Sequence, residues 1–279
     1  MNCSAVKCEP AKPLLHHLEA GHGETVLLLH GSASTSAFWR QTTQALQPLY
    51  HVIAPDLIGY GQSPAWPAGV PYSAEAEVNA LQSLLPCCAA KYHLAGHSYG
   101  GVAALMLALA SPSRVLTLTL IEPVFFAALR HQGDVSAHRH FGQVRDTFLS
   151  TLARGNVETA MRDFIGFWTG EGSWERMPAD MRGVLLEKAG KIVLDWQASF
   201  AAETDLHALA GLGTRTLLLS GDGSPAPMRR LVEALHGLMP GSTRTVVPGA
   251  GHLLPVTHAA AVTQAILGHF HTDAERRLS

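Results

Sequence analysis

Six short apolar segments recur along the chain, and each is a continuous run without alternation of apolar and polar positions. They are TVLLLH (25–30), HVIAPD (51–56), YHLAGH (92–97), VLTLTLIEP (115–123), TRTLLLSGD (214–222) and STRTVVPG (242–249). Continuous runs are typical of strands that are buried on both faces of a sheet. Helical periodicity lies between several of them, at 37–46, 74–85, 101–110, 228–238 and 259–271. This alternation of strand and helix predicts an α/β fold with a mostly parallel sheet and helices on both faces.

The alternation is interrupted once, between the fourth and fifth predicted strands. Residues 124–206 have helical periodicity, no clear strand and many aromatic side chains. We therefore predict a helical insertion at 124–206 in a core formed by residues 1–123 and 207–279. Some of its aromatic side chains are expected to face a cleft between the insertion and the sheet, where ligand sites tend to lie.

Composition narrows the choice of partner. The net charge of −2 gives no general electrostatic reason to bind nucleic acid or an anionic membrane, so a small, neutral or apolar molecule is the expected partner. The longest apolar run, 102–110, is too short to cross a bilayer, and we predict a soluble cytoplasmic protein. Cys3, Cys8, Cys87 and Cys88 match neither a zinc spacing nor a disulfide framework, and we expect reduced thiols.

The segment LAGHSYGG, residues 94–101, contains the pattern G-x-S-x-G between a predicted strand and an apolar helix. A nucleophile on such a sharp strand-to-helix turn needs small neighbours, because strand and helix must approach closely while the hydroxyl stays accessible. Gly96, Gly100 and Gly101 meet that need. The pattern predicts Ser98 as a catalytic nucleophile.

A serine hydroxyl is a weak nucleophile at neutral pH and needs a general base, which is most often histidine. Of the 16 histidines, His252 lies in PGAGHLLP, a glycine-rich loop after the last predicted strand, where its side chain can reach the carboxyl ends of the sheet. His258 starts the next helix, and His97 precedes the nucleophile and is expected to point into the scaffold. We predict His252 as the base.

Acyl transfer also needs hydrogen-bond donors for the oxyanion. In LLLHGSASTSAFW, residues 27–39, a strand ends at His30 and Gly31 permits a turn. The backbone amide of Ser32 can then point toward the nucleophile, beside the amide of Tyr99. Ser32 and Tyr99 are the predicted oxyanion-hole residues.

Together these segments resemble the α/β-hydrolase superfamily, over nearly the whole chain outside the insertion. DLIGYGQS, residues 56–63, is similar to the family's D-x-x-G-x-G-x-S loop. The resemblance implies an eight-stranded, mostly parallel sheet with residues 124–206 as a helical cap over the site. It also implies a serine hydrolase that needs no cofactor or metal. Ser98 at the turn argues against a dehalogenase or an epoxide hydrolase, because those members of the family use an Asp nucleophile.

The position of the triad acid departs from the family pattern. Many members carry it in G-x-x-D after the strand that follows the cap, and here that position is Ser224, while Asp222 directly follows Gly221. Glu122 is the other candidate: it ends the strand after the nucleophile helix, 24 positions beyond Ser98, where haloalkane dehalogenases carry a catalytic Glu. A Glu that ends an apolar strand calls for a partner. We prefer Glu122 and keep Asp222 as the alternative.

The expected activity is hydrolysis of an ester-like bond in a small or medium, largely apolar substrate through an acyl-enzyme, as in carboxylesterases. Thioesters, lactones and the carbon–carbon bonds of diketones stay open, because the same triad cleaves them. A ligand receptor or signalling partner that retains the triad is an alternative of a different class. The sequence leaves the substrate's identity and the oligomeric state open.

Overall fold

The computed structural model describes residues 15–85 and 91–277, with side chains described up to residue 270. The four cysteines lie outside these residues, so the predicted state of their thiols stays a prediction. The strands are β1 (His17–Ala20), β2 (Glu24–Leu29), β3 (Tyr50–Pro55), β4 (Tyr92–His97), β5 (Val115–Ile121), β6 (Arg215–Gly221) and β7 (Ser242–Val247).

The helices outside the insertion flank these strands in the predicted alternation. They are α1 (Arg40–Leu46), α2 (Ala74–Gln82), α3 (Tyr99–Ala110), α11 (Ala226–Leu238), α12 (Leu254–Thr257) and α13 (Ala259–Arg277). The α/β prediction is confirmed. The nucleophile helix begins at Tyr99, two residues before the predicted start.

Between β5 and β6, where every residue is described, the chain forms seven α-helices and no strand. They are α4 (Ala127–His131), α5 (Val135–Ala153), α6 (Val157–Thr169), α7 (Ser173–Arg176), α8 (Ala179–Glu187), α9 (Ala189–Ala201) and α10 (Leu206–Ala210). The helical character predicted for this segment is therefore present, and the last helix runs beyond the predicted boundary at residue 206.

The strand order in the sheet is β1-β3-β2-β4-β5-β6-β7, and all neighbours are parallel except the antiparallel pair β1 and β3. The described residues thus form seven strands, and the expected count of eight is wrong for this part of the chain. The added strand, HLEA at β1, escaped the sequence analysis because an edge strand is half exposed and carries no apolar run.

Two apolar cores cover the two faces of the sheet, which explains the continuous runs. Successive side chains of a strand point to opposite faces. Leu27 and Leu29 accordingly pack into the core that contains α3 and the insertion helices, whereas Val26 and Leu28 pack into the core that contains α1 and α13. Because β2 to β7 run parallel, their carboxyl ends lie at the same edge of the sheet, and this edge carries the residues of the candidate site.

Candidate active site

Ser98 occupies the sharp turn between β4 and α3. Its backbone has φ 54° and ψ −119°, a conformation that non-glycine residues adopt only at a cost of about 1–3 kcal/mol. A Cβ on Gly100 would lie 2.3 Å from the carbonyl oxygen of His30, so only glycine permits this approach of helix and strand. The strained turn presents Ser98 to the cavity above the sheet.

His252 lies between Ser98 and Glu122 and contacts both. Its Nε2 is 3.2 Å from Ser98 Oγ, and its Nδ1 is 2.7 Å from Glu122 Oε2. A carboxylate only accepts hydrogen bonds, so Nδ1 carries the proton and Nε2 is left to accept the serine hydroxyl hydrogen. This is the arrangement in which an imidazole can act as a general base toward Ser98.

Glu122 is fully buried at the end of β5, and its carboxylate has three donors. Besides His252, the amide of Gly221 donates to Oε1 at 2.8 Å and the hydroxyl of Ser224 donates to the same oxygen at 2.5 Å. Its backbone has φ 44°, a second strained position at the site. The residue that replaces Asp in the G-x-x-D pattern thus holds the carboxylate that comes from the neighbouring strand.

Asp222 is exposed, and its side chain binds the turn after β7 and not the His252 ring. Its Oδ1 accepts a hydrogen bond of 2.6 Å from the amide of Gly249. The structure therefore brings Glu122, and not Asp222, to the histidine ring.

The turn after β2 runs beside the nucleophile. A Cβ on Gly31 would lie 2.8 Å from Ser98 Cβ, so the absence of a side chain there permits the contact. Ser32 follows and lines the same cavity as Ser98. Tyr99 is the first residue of α3, so its amide has no acceptor within the helix. Both residues predicted to supply oxyanion donors therefore lie close to Ser98, and their role stays a prediction.

His30 fixes the peptide group between Gly31 and Ser32. Its Nδ1 donates to the Gly31 carbonyl oxygen at 2.7 Å, and its Nε2 accepts the Leu57 amide at 3.0 Å. Burial lowers the pKa of His30 to about 4, so the ring is neutral near pH 7 and keeps both roles.

His97 and Trp168 hold His252 from two sides. His97 is buried and donates from Nε2 to the carbonyl oxygen of His252 at 2.8 Å, and burial holds its pKa well below the ordinary value. The indole of Trp168, from α6, stacks on the His252 ring with centroids 4.2 Å apart. Neither contact has a signal in the sequence, since only folding brings these rings together.

A cavity of about 690 Å³ opens onto Ser98 and His252. Its wall is largely apolar, and α6, α8 and α9 supply part of it, including aromatic residues of the insertion as the cleft prediction expected. The apolar residues from these helices include Phe164, Ile165, Trp168, Val184, Leu185 and Trp196. Other aromatic residues of the insertion, including Phe126, Phe141 and Phe200, pack against one another.

One wall of the cavity carries a buried carboxylate, Asp195 of α9, which is 2% exposed. It forms an ion pair with Lys191, one turn earlier on the same helix. Tyr60 and Ser32 donate to its other oxygen, each at 2.6 Å. Asp195 is not among the residues predicted from the sequence. Its signal is the pair of opposite charges, Lys191 and Asp195, four positions apart in the apolar segment GKIVLDW.

The ion pair continues into a further polar cluster under the cavity. Lys191 Nζ donates to Tyr72 Oη at 2.7 Å, and Tyr72 donates to Glu77 Oε1, also at 2.7 Å. Burial raises the pKa of Glu77 to about 7, against the opposing effect of the Lys191 charge. Among the side chains that the structure describes, in residues 15–85 and 91–270, no group of three or more His, Cys, Asp or Glu is arranged to hold a metal ion.

A sequence profile described as the alpha/beta hydrolase family matches residues 26–265. The chain belongs to this family. A pimeloyl-[acyl-carrier protein] methyl ester esterase of Vibrio campbellii is 36% identical over 269 residues, which cover 94% of each chain. The resemblance inferred from the motifs is thereby confirmed.

Two further proteins are similar to this chain, one over part of its sequence and one over most of its fold. Lipase LipV of Mycobacterium tuberculosis is 38% identical over 99 residues, so the match spans only 36% of the lipase and 35% of this chain. The solved structure of a thermophilic esterase from Thermogutta terrifontis superposes with a TM-score of 0.71 at 25% identity, covering 92% of this chain and 93% of the esterase.

In the described part of the hydrolase, the helices are too short or too polar to cross a membrane.

Proposed function

We propose that the protein is a serine carboxylic ester hydrolase that acts through a Ser98, His252 and Glu122 triad. The observation that carries the proposal is the pair of hydrogen bonds on His252, 3.2 Å to Ser98 Oγ and 2.7 Å to Glu122 Oε2. Family membership and the methyl ester named for the Vibrio relative support an ester as the bond that is cleaved.

In this mechanism Ser98 Oγ attacks the ester carbonyl carbon while His252 Nε2 takes the hydroxyl proton. The carbonyl oxygen becomes an oxyanion, which the amides of Ser32 and Tyr99 stabilise. Collapse of the tetrahedral intermediate breaks the ester bond, and His252 returns the proton to the departing alcohol. Water, deprotonated by His252, then attacks the acyl-enzyme and releases the acid and free Ser98. Glu122 stabilises the charged imidazole in both steps.

The substrate of the proposed reaction is a small or medium molecule with an apolar portion near the ester. The largely apolar wall and the volume of about 690 Å³ support this class. In this proposal residues 124–206 act as the cap of the site, because Trp168 of α6 lies on the His252 ring and α6, α8 and α9 supply the wall. The insertion would therefore determine which acyl groups fit the site.

The test is a panel of p-nitrophenyl esters of increasing acyl length, assayed with the wild type and Ser98→Ala. We expect steady turnover by the wild type and loss of kcat by a factor on the order of 10⁶ in the variant, since the nucleophile is absent. A thioester, a lactone and a vinylogous diketone in the same panel identify the preferred bond. Tight binding of a panel member without turnover by the wild type would contradict the proposal and favour a receptor.

A further inference from the structure

The hydroxyl of Ser32 joins the oxyanion turn to the insertion. Ser32 Oγ donates a hydrogen bond of 2.6 Å to Asp195 Oδ2, across 163 positions of the chain. Ser32 follows β2 in the core, whereas Asp195 lies on α9. The contact therefore links the turn predicted to supply an oxyanion donor to a helix of the insertion, and both residues line the cavity.

The peptide group between Gly31 and Ser32 is held on both sides by this contact and by His30. The Gly31 carbonyl, which belongs to the same planar group as the Ser32 amide, accepts from His30 Nδ1 at 2.7 Å. The N–H of a trans peptide points opposite to its carbonyl, so fixing the carbonyl directs the amide. Ala33, the next residue, has φ 60°, a conformation that persists only where its surroundings impose it.

Asp195 is itself immobilised, which a positioning contact requires. Its side chain is 3% exposed and has three donors: Ser32, Tyr60 and Lys191. Lys191 in turn lies near the faces of three tyrosine rings, with Nζ 4.2 Å from the centroid of Tyr72. The carboxylate is thus held by a buried network that spans the core and the insertion.

We propose that Asp195 is a positioning residue for catalysis: through the Ser32 hydroxyl it orients the Ser32 amide, so that the oxyanion hole is complete only when α9 is docked. This inference rests on the proposed hydrolase function and deepens it. The side chain of Ser32 acts as the link, and the reacting oxygen meets only its backbone.

Ser32→Ala isolates the link, because it keeps the amide and removes the hydroxyl. Removing an oxyanion donor outright lowers kcat by about 10²–10³, so misorienting one should lower kcat roughly tenfold while KM stays within about twofold. Ser32→Thr, which retains a hydroxyl, should restore kcat to within about threefold. An alkyl trifluoromethyl ketone, whose adduct with Ser98 carries an oxyanion, should lose affinity for Ser32→Ala in parallel with kcat/KM.

Tyr60→Phe is the matched control. It removes a bond of the same 2.6 Å length to the same Asp195 oxygen, and Tyr60 is not part of the cavity wall. Because Lys191 and the Ser32 hydroxyl still bind the carboxylate in this variant, we expect thermal stability to fall and kcat to fall by less than in Ser32→Ala. The apolar pair Lys191→Met with Asp195→Leu should reproduce the kcat loss of Ser32→Ala, and adding Ser32→Ala to that pair should lower kcat less than twofold further, because the two changes break one link.

The outcomes separate this inference from the function on which it rests. A wild type that hydrolyses the ester only through Ser98, together with normal kcat and ketone affinity in Ser32→Ala, would overturn the positioning role alone. Full additivity of Ser32→Ala with the Lys191→Met and Asp195→Leu pair in the triple variant would overturn it as well. A wild type without Ser98-dependent turnover would overturn the proposed function and the inference with it.

Discussion

The ends of β5 and β6 lie side by side in the sheet, and each carries a carboxylate with a different fate. Ile121 pairs with Leu219 in the parallel ladder, so Glu122 and Asp222 leave the same edge of neighbouring strands. Glu122 is fully buried and bonded to His252, whereas Asp222 is exposed and bonded to the Gly249 amide. Each is the first residue after its strand, and the two differ in side-chain direction: Glu122 points into the fold and Asp222 points to solvent.

The donors around each carboxylate explain the difference. The β6 end directs its Gly221 amide and the Ser224 hydroxyl at Glu122, and this offsets the cost of burying the charge. Asp222 is not surrounded in this way and stays in solvent. The position that carries the acid in the family pattern thus holds a hydrogen-bond donor here, and the acid has moved to the neighbouring strand.

The largest effect is expected from exchanging each acid for its amide. Glu122→Gln should lower kcat by a factor on the order of 10⁴, because the variant loses the charge that orients and stabilises the histidine. Asp222→Asn should change kcat less than threefold, since within the described residues its side chain accepts one hydrogen bond, from the Gly249 amide, and does not bind His252. Both are measured as kcat on the best ester of the panel, and near-normal turnover of Glu122→Gln would refute the comparison.

Glu77 tests whether the donor set makes burial of a carboxylate tolerable. It is fully buried like Glu122, but Ile58 and Tyr72 both donate to Oε1, and Oε2 has no partner within the described part of the chain. Its folded pKa of about 7 exceeds the ordinary 4.5, so its stabilising contribution is complete below pH 4.5 and is lost as the pH rises through 7. Lys191 and Asp195 face the same cluster.

Glu77→Gln should therefore gain stability relative to the wild type as the pH rises. The difference in unfolding free energy should change by on the order of 3 kcal/mol between pH 4.5 and pH 8, from the pKa difference at 1.36 kcal/mol per unit. Urea unfolding of both proteins at the two pH values measures it. The exposed Glu75, on the same helix, supplies the control Glu75→Gln, which should show no such change; a pH-independent difference for Glu77→Gln would contradict the assignment.

The smallest effect is expected at Ser224, which supports Glu122 from β6. Ser224→Ala leaves Glu122 with the Gly221 amide and His252, so it should lower stability by about 1–3 kcal/mol and kcat by no more than about tenfold. Thermal unfolding and kcat measure the two effects. Ser220→Ala, which removes another buried hydroxyl from the same strand end, should leave kcat unchanged. An effect of Ser224→Ala as large as that of Glu122→Gln would mean that the two residues act as one unit.

Local signals predicted much of the fold and part of the candidate site. The apolar runs located six of the described strands, because a strand buried on both faces needs side chains that are apolar at every position. Edge strand β1 carried no such signal. Ser98 could be predicted for a similar reason. Strand, turn and helix are contiguous in the sequence, and their close approach requires glycine at positions 96 and 100.

The α/β class, the nucleophile turn and the loop that carries His252 could each be predicted from the sequence, because short contiguous segments encode them. Which carboxylate binds His252 depends on the tertiary structure, since Glu122 lies 130 positions from His252 and Asp222 is nearer in the chain. The same holds for the contact between Ser32 and Asp195. Side-chain direction at a strand end and the docking of a helix depend on packing between distant segments, which no local pattern specifies.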